Sequence, residues 1–464
     1  MATKPKIVSQ QINPVDALNT IRANASATYQ ELVPFADGSV EQLREIGEIV
    51  MTYDAVRNEF LSALYNRIGR VLITSKMYDN PWAVFKKGML EFGETIEEVF
   101  VNIAKVFQYD PSNAETTLYK RVIPDVRSAF HSMNFQKFYE NTISNDQLRQ
   151  AFLSWQGITD IIARIVDSMY TAANYDEFLM MKYLIARLAL NGNIKPITIP
   201  SLDATNANSI VTAIKGVSNM FEFLSTENNI NGVYTHTPKA DQYVIETANF
   251  NAVIDVEVLA KAFNMDKAQF TGRQAMVNQW TFANDEMLRL KELFTLSDGT
   301  IDPTYHEFTE DEVATLETIQ ALLVDRDFLM CYDNFVNFTE AYNAKGLYWN
   351  YFYHTWRTFS ASPFHNAVLF TTDTSEVTSV TISPKTVSVQ KGASTQFTVT
   401  VEASGFAKKD VAYTVKGATS PNTMITSQGL LTVGEDEEAT NLTITATSVY
   451  TPGKSDSATV TITK

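Results

Sequence analysis

Residues 346–370 read GLYWNYFYHTWRTFSASPFHNAVLF. Nine of these 25 residues are Phe, Tyr or Trp, and none is acidic. Flat aromatic rings pack well on a pleated, half-buried surface and so favour extended backbone. The run is too polar-flecked for an ordinary buried strand and too aromatic for a helix. It predicts a long strand, bent at Ser362-Pro363, that closes a core laid down by the chain before it. Composition changes completely at Thr371, and the clearest domain boundary falls there, with a second domain over 374–464.

Beyond that edge the sequence is all-β. From Glu376 onward roughly one residue in five is Thr, a β-branched residue enriched in strands. Apolar and polar residues alternate over 377–382, 396–401, 442–447 and 458–462. Turn signals at Lys391-Gly392, Gln428-Gly429 and Pro452-Gly453 separate these runs. Short alternating strands at this spacing predict an antiparallel sandwich.

Upstream, the pattern mixes helix and strand. Residues 1–70 predict an arm with helices: Leu43, Ile46, Val50, Val56, Phe60, Leu64 and Ile68 recur near helical spacing. That apolar face needs a partner later in the chain or on another chain. Residues 71–73 predict a short strand leading into an extended hairpin arm over 71–109. Asn80-Pro81 with Gly88 and Gly93 supplies its turn chemistry. Ser144 and Gln147 fit a capping box that opens a helix through Leu148, Phe152, Trp155, Ile158, Ile162, Ile165 and Met169. A second helix over 176–190 has acids at its start and Asn191-Gly192 as its stop. Residues 196–323 predict a mixed unit with a short helix at 256–263. Within it, 297–317 holds seven acids and no Lys or Arg. Thr309 and Glu312 form another capping-box pattern, opening a helix through Val313, Leu316, Ile319 and Leu323.

Composition narrows the functional classes. A chain of 464 residues, 45% hydrophobic and 19% charged, buries sizeable cores in two to four domains. A formal charge of −16 argues against a basic patch gripping nucleic acid by its phosphates. Cys331 is the only cysteine, which fits folding in a reducing cytoplasm. The N-terminal stretch has no apolar signal core, and no run of 18 apolar residues predicts a membrane span. A soluble protein made inside a cell is expected.

Catalytic patterns are missing. The sequence contains no phosphate-binding glycine loop, no H-E-x-x-H and no G-x-S-x-G. His131, His236, His306, His354 and His365 are scattered, with no pair at metal-ligand spacing on one helix face. Cys331 sits in the apolar run Phe328-Leu329-Met330-Cys331-Tyr332, the setting of a buried inert thiol. Asp325 and Asp327 flank Arg326 in a common and uninformative pattern. No cofactor, metal or catalytic residue is expected.

Two resemblances add identity to this reading. Val380-Thr381-Ile382-Ser383-Pro384, Val389-Gln390-Lys391-Gly392, Gly429-Leu430-Leu431-Thr432-Val433 and Ile444-Thr445-Ala446-Thr447-Ser448 resemble the group-two bacterial immunoglobulin-like domains. The body resembles the major capsid proteins of short-tailed phages of the phi-twenty-nine group. It does so through Phe85-Lys86-Lys87-Gly88 with Thr95-Ile96-Glu97-Glu98, through Val258 to Met265, and through Leu323-Val324-Asp325-Arg326-Asp327 on to Tyr351. That resemblance implies an α+β chain: the Hong Kong ninety-seven-type capsid fold over 71–373, followed by the all-β sandwich. It implies an extended loop at 71–109, helices over 144–190 with the spine helix at 176–190, an axial domain over 196–323 and a peripheral strand at 346–370. Trp82, Phe85, Lys86, Lys87, Glu97 and Glu98 are then the expected inter-subunit contacts of the loop. The implied protein is a head subunit made in the host cytoplasm that forms hexamers and pentamers. Its implied partners are further copies of itself, a scaffolding protein, a portal and packaged double-stranded DNA bound without sequence specificity. The rival reading is an adhesin whose C-terminal domain holds a host-surface glycan; an enzyme with an accessory sandwich ranks last.

Overall fold

The structure is a computed structural model. It describes residues 14–60, 78, 80–90, 95–113, 115, 118–145, 155–203, 205–254 and 273–463. The expected strand at 71–73, the helix at 256–263 and Gln147 of the first capping box lie outside the described residues.

Three short helices open the chain: α1 (Pro14–Asn24), α2 (Ala27–Leu32) and α3 (Val40–Thr52). Ser26 and Ser39 cap α2 and α3, each hydroxyl accepting a first-turn backbone N–H that the helix cannot satisfy. The expected helix breaks at Tyr53 and resumes over 54–60. Leu18, Leu43, Ile46, Val50 and Phe60 are buried against Trp349, Tyr351 and Tyr353. The arm's apolar face therefore finds its partner in its own chain.

The body carries β1 (Lys86–Met89), β2 (Thr95–Val101), β3 (Val126–Ser132), β4 (Phe135–Ser144) and the helix α4 (Trp155–Leu190). It continues with β5 (Lys195–Thr198), β6 (Gln242–Thr247), β7 (Gln274–Val277), β8 (Ile319–Asp325), β9 (Leu329–Asn343), β10 (Tyr348–Ala361) and β11 (Ala367–Thr371). One sheet has the order β1-β9-β10-β4, a second the order β5-β11-β8-β6-β7, and β2 pairs with β3 alone.

The structure corrects the sequence reading of the aromatic stretch. It is two strands in two sheets, not one bent strand. Along β10, Trp349, Tyr351, Tyr353 and Thr355 are buried while Asn350, Phe352, His354 and Trp356 lie on the more open face. Residues 362–366 then carry the chain across, and β11, buried at every position, becomes an inner strand of the five-stranded sheet. Strictly alternating burial belongs to a sheet with one covered face, and continuous burial to a strand covered on both.

Two helix boundaries also move. The expected helices over 144–190 are joined over 155–190 in the single 36-residue α4, and Ser144 ends β4. Tyr170-Thr171-Ala172-Ala173-Asn174-Tyr175 contains neither Gly nor Pro, so nothing interrupts it. Asp176 and Glu177 are consequently mid-helix and buried, and their charges are met by side chains instead of free backbone N–H groups. The Thr309–Glu312 capping box forms as expected, but its helix ends at Glu317. Residues 319–325, rich in Ile, Leu and Val, form β8 between β11 and β6.

The C-terminal part has nine strands: β12 (Glu376–Ser383), β13 (Thr386–Gln390), β14 (Ser394–Gln396), β15 (Thr398–Ser404), β16 (Val411–Lys416), β17 (Met424–Ile425), β18 (Leu430–Thr432), β19 (Asn441–Ser448) and β20 (Ser455–Thr463). They form the sheets β12-β15, β13-β20-β19-β16 and β14-β18-β17 around Ile382, Phe397, Leu431, Ile444 and Val460. All pairs are antiparallel except β13 with β20. One residue of this domain belongs to the body's core: Phe406 is fully buried within the cluster built on α4. Beside it, Gly192 ends α4 in the left-handed region at φ +68°, and a Cβ there would lie 2.5 Å from the Lys408 Cα. The sandwich is thus seated directly on the C-terminal end of α4.

Candidate assembly site

The β2/β3 hairpin stands apart from both sheets of the body as a two-stranded sheet of its own. The two strands pair from Thr95↔Ser132 to Val101↔Val126. The reach extends to residue 132, beyond the expected limit of 109. Beyond the paired strands the exposed residues are strongly apolar: Val106 is 95% exposed, Tyr109 and Tyr119 89%, and Ile123 81%. Large apolar side chains left this exposed on one excursion of the chain, between charged neighbours, mark a candidate interaction site. A second exposed apolar surface lies on the open face of β4, β9 and β10. There Phe335 and Trp356 meet in a tilted pair at 4.7 Å between centroids and Phe138 meets Phe352 edge-on at 5.8 Å.

The hairpin's root is tied down by a polar cluster. Glu98 on β2 meets His131 on β3 at 3.1 Å, and Ser362 donates to the other Glu98 oxygen at 2.8 Å. His131 contacts the Ser360 hydroxyl at 2.8 Å. His365 lies 3.5 Å from Glu98 and 3.4 Å from Asp325, and Asp325 accepts from Thr237 at 2.6 Å. Burial would raise the Glu98 carboxyl, but bonds from His131, His365 and Ser362 outweigh it and hold it down at about 2. Burial would lower His365, but Asp325 and Glu98 raise it to about 9. Phe100 stacks on Phe364 at 5.4 Å, adding an apolar contact to the same crossing segment.

A second charge cluster anchors the strand that leads into the hairpin. Lys86 on β1 bonds Glu177 on α4 at 2.9 Å and Asp333 on β9 at 2.8 Å. Arg357 on β10 bonds the same two carboxylates at 3.1 and 3.0 Å. Four elements are joined by two acids and two bases.

These placements correct part of the expected contact set. Trp82 and Phe85 are fully buried in the chain's own core, where the Trp82 indole donates to the Met276 carbonyl at 3.0 Å. Both are large apolar side chains next to α4, so the core claims them and leaves no surface for a neighbour. Lys86 and Glu98 are half-buried in the two clusters, and Lys87 is bonded to Asp327. Glu97 is exposed on the hairpin. Cys331 is buried beside β1, and burial pushes its thiol up to about 12, as an inert thiol requires. Sequence reasoning missed the Glu98–His131–His365–Asp325 cluster because its members come from four separate segments with no shared spacing. Among the described residues no group of three or more His, Cys, Asp or Glu could hold a metal ion. No described helix is long and apolar enough to cross a membrane.

A solved phage shell defines the class to which this architecture belongs. The capsid structure of Staphylococcus phage Andhra matches with a TM-score of 0.50 at 17% identity, over 65% of this chain and 86% of that one. The body thus has the Hong Kong ninety-seven-type fold of a phage capsid chain, followed by an immunoglobulin-like sandwich. Residues 18–371 match the family model described as Phi29-like phage major capsid protein, and residues 376–462 match the bacterial Ig-like domain (group 2). The major capsid protein of Bacillus phage B103 is 35% identical, over 93% of this chain and 89% of its own. That of Bacillus phage PZA is 33% identical over the same shares. The chain belongs to the Phi29-like phage major capsid protein family. It is a self-assembling structural subunit of the virion capsid, and the adhesin reading falls away.

Proposed function

We propose that the subunit assembles into hexamers and pentamers that close a head around double-stranded DNA, with the 95–132 hairpin laid over a neighbouring copy. The observation that carries this reading is the run of exposed apolar residues beyond the hairpin's paired strands, rooted in two charge clusters. Obligate interfaces are large and core-like, and this surface needs such a cover. Glu97 lies on the contact face, with Lys87 beside the hairpin's entry. The β5–β8 and β11 sheet is the axial unit, and α4 with the four-stranded sheet is the peripheral one. A formal charge of −16 suits a wall that encloses DNA without gripping its phosphates. Scaffolding protein and portal act on the assembling rings, and the sandwich faces outward. The chain works as a building block, not as an enzyme.

The test is the double variant Val106→Asp with Ile123→Asp, expressed alongside the neighbouring phage genes. Size-exclusion chromatography and negative-stain microscopy are expected to show loss of shells, with the subunit's thermal unfolding unchanged. Wild-type shell yield from that variant would contradict the reading.

A further inference from the structure

Lys182 sits in the middle of α4 with its side chain fully buried. A buried ammonium is costly unless it has a partner or a task. Its Nζ lies 3.0 Å from Glu286 Oε2 and 3.3 Å from Asn278 Oδ1, and 4.5 Å from the centroid of the Phe282 ring. Glu286 closes the triangle, its Oε1 accepting from Asn278 Nδ2 at 3.3 Å. Glu286 is also held in place, because its Oε2 accepts the Ala283 backbone N–H at 3.1 Å. An amine, a carboxamide and a carboxylate that touches both therefore meet at the edge of the core.

We propose that Lys182 and Asn278 join in an intramolecular isopeptide bond, with Glu286 carrying the proton. Burial lowers the Lys182 ammonium's pKa, which favours the neutral amine the reaction needs, and the step begins as Nζ passes a proton to the adjoining Glu286 carboxylate 3.0 Å away. The C=O bond is about 1.23 Å long, so the Asn278 carbonyl carbon lies within about 4.5 Å of Nζ. A side-chain shift of about 1 Å brings the pair to attack distance. The Nζ lone pair forms the new C–N bond while the carbonyl pair moves to Oδ1. Glu286 gives its proton to Nδ2 and takes one from Nζ, the old C–N bond breaks and the carbonyl reforms. The nitrogen of the carboxamide leaves as ammonia, which accepts the remaining Glu286 proton. One ammonium and one carboxamide become one amide and one ammonium ion, without oxidant or outside reagent. Asn278 is open to solvent on its other side, which gives the ammonia a way out.

The bond would close a loop between residues 96 apart. It would staple α4 to the chain leaving β7, the outermost strand of the five-stranded sheet, whose one strand neighbour there is β6. A cross-link that long restricts the unfolded chain strongly.

The experiment is mass spectrometry on the full-length wild-type chain, both as free subunit and from assembled particles. The expected intact mass is lighter than the sequence mass by one ammonia. Trypsin is expected to leave a branched product joining 165–187 to 274–289, with no cleavage after Lys182. Asn278→Ala and Glu286→Gln are expected to restore the full mass and the cleavage. A wild-type chain of full mass, cut after Lys182 in both preparations, would overturn the proposal whether or not either variant folds.

Discussion

Arg357→Met tests the buried charge cluster most severely. Arg357 is 4% exposed, bonds Glu177 and Asp333, and donates to the Ala173 carbonyl of α4 at 2.9 Å. Removing it leaves two carboxylates sharing Lys86. Glu177 lies with its side chain only 2% exposed, so water cannot take over. Leaving a buried charge uncompensated costs about 3–5 kcal/mol, and because Lys86 and the Asn80 amide at 2.7 Å stay on Glu177 the low end of that range is expected. Lys86→Met strips the same cluster of its other base, but the Lys86 side chain is 24% exposed and Asp333 18%. Water reaches that side, and the cost falls to about 1–3 kcal/mol. Glu177→Gln added to Arg357→Met is expected to recover at least about 1 kcal/mol, because the orphaned charge goes with it. Urea unfolding of the purified subunit, followed by tryptophan fluorescence, measures all three, with an unchanged denaturant slope marking a true stability effect. The reasoning is refuted if Arg357→Met is no more costly than Lys86→Met, or lies within about 1 kcal/mol of wild type.

Two further outcomes follow from the geometry. Phe406→Ala removes the C-terminal domain's side chain from the body's core, at a cost of about 3–5 kcal/mol. Protease is expected to cut between residues 371 and 376 faster than in wild type, and Gly192→Ala is expected to do the same by pressing a Cβ onto Lys408. The hairpin root should be pH-sensitive from both sides. Glu98, lowered from 4.5 to about 2, adds stability that is present above pH 4.5 and lost as pH falls towards 2. His365, raised from 6.5 to about 9, adds stability that is full below pH 6.5 and lost as pH rises towards 9. Hydrogen exchange of 95–101 and 126–132, corrected for the intrinsic pH dependence, is expected to be slowest between about pH 4.5 and 6.5. Loss of the acidic limb in Glu98→Gln, with the alkaline limb weakened but kept because Asp325 still pairs with His365, would tie the effect to this cluster.

Much of the fold is legible in local pattern, and the failures share a cause. The alternation of the C-terminal strands and the Thr309–Glu312 cap are written in neighbouring residues. The break of the aromatic stretch into β10 and β11 is marked by Ser362-Pro363, yet nothing local says that the second half enters another sheet. That depends on β8, whose apolar run continues the Val313–Leu316 helical spacing closely enough to read as helix. Asp176 and Glu177 resemble first-turn acids until Lys86, Arg289 and Arg357, far away in sequence, are brought to them. The same holds for the assembly site. Trp82 and Phe85 have the composition of contact residues, but only the path of β1 beside α4 shows that the chain buries them itself. A loop limit at 109 takes in only part of the hairpin's apolar residues from 99 to 130, since an exposed apolar strand has the same alternation as a buried one.

Cryo-electron microscopy of particles made by the full-length chain with its neighbouring phage genes tests the central claim most directly. The account predicts closed shells of rings in which residues 95–132 lie over an adjacent subunit and the sandwich forms the outer surface. A monodisperse monomer under every condition, or shells in which that hairpin touches only its own chain, would contradict it.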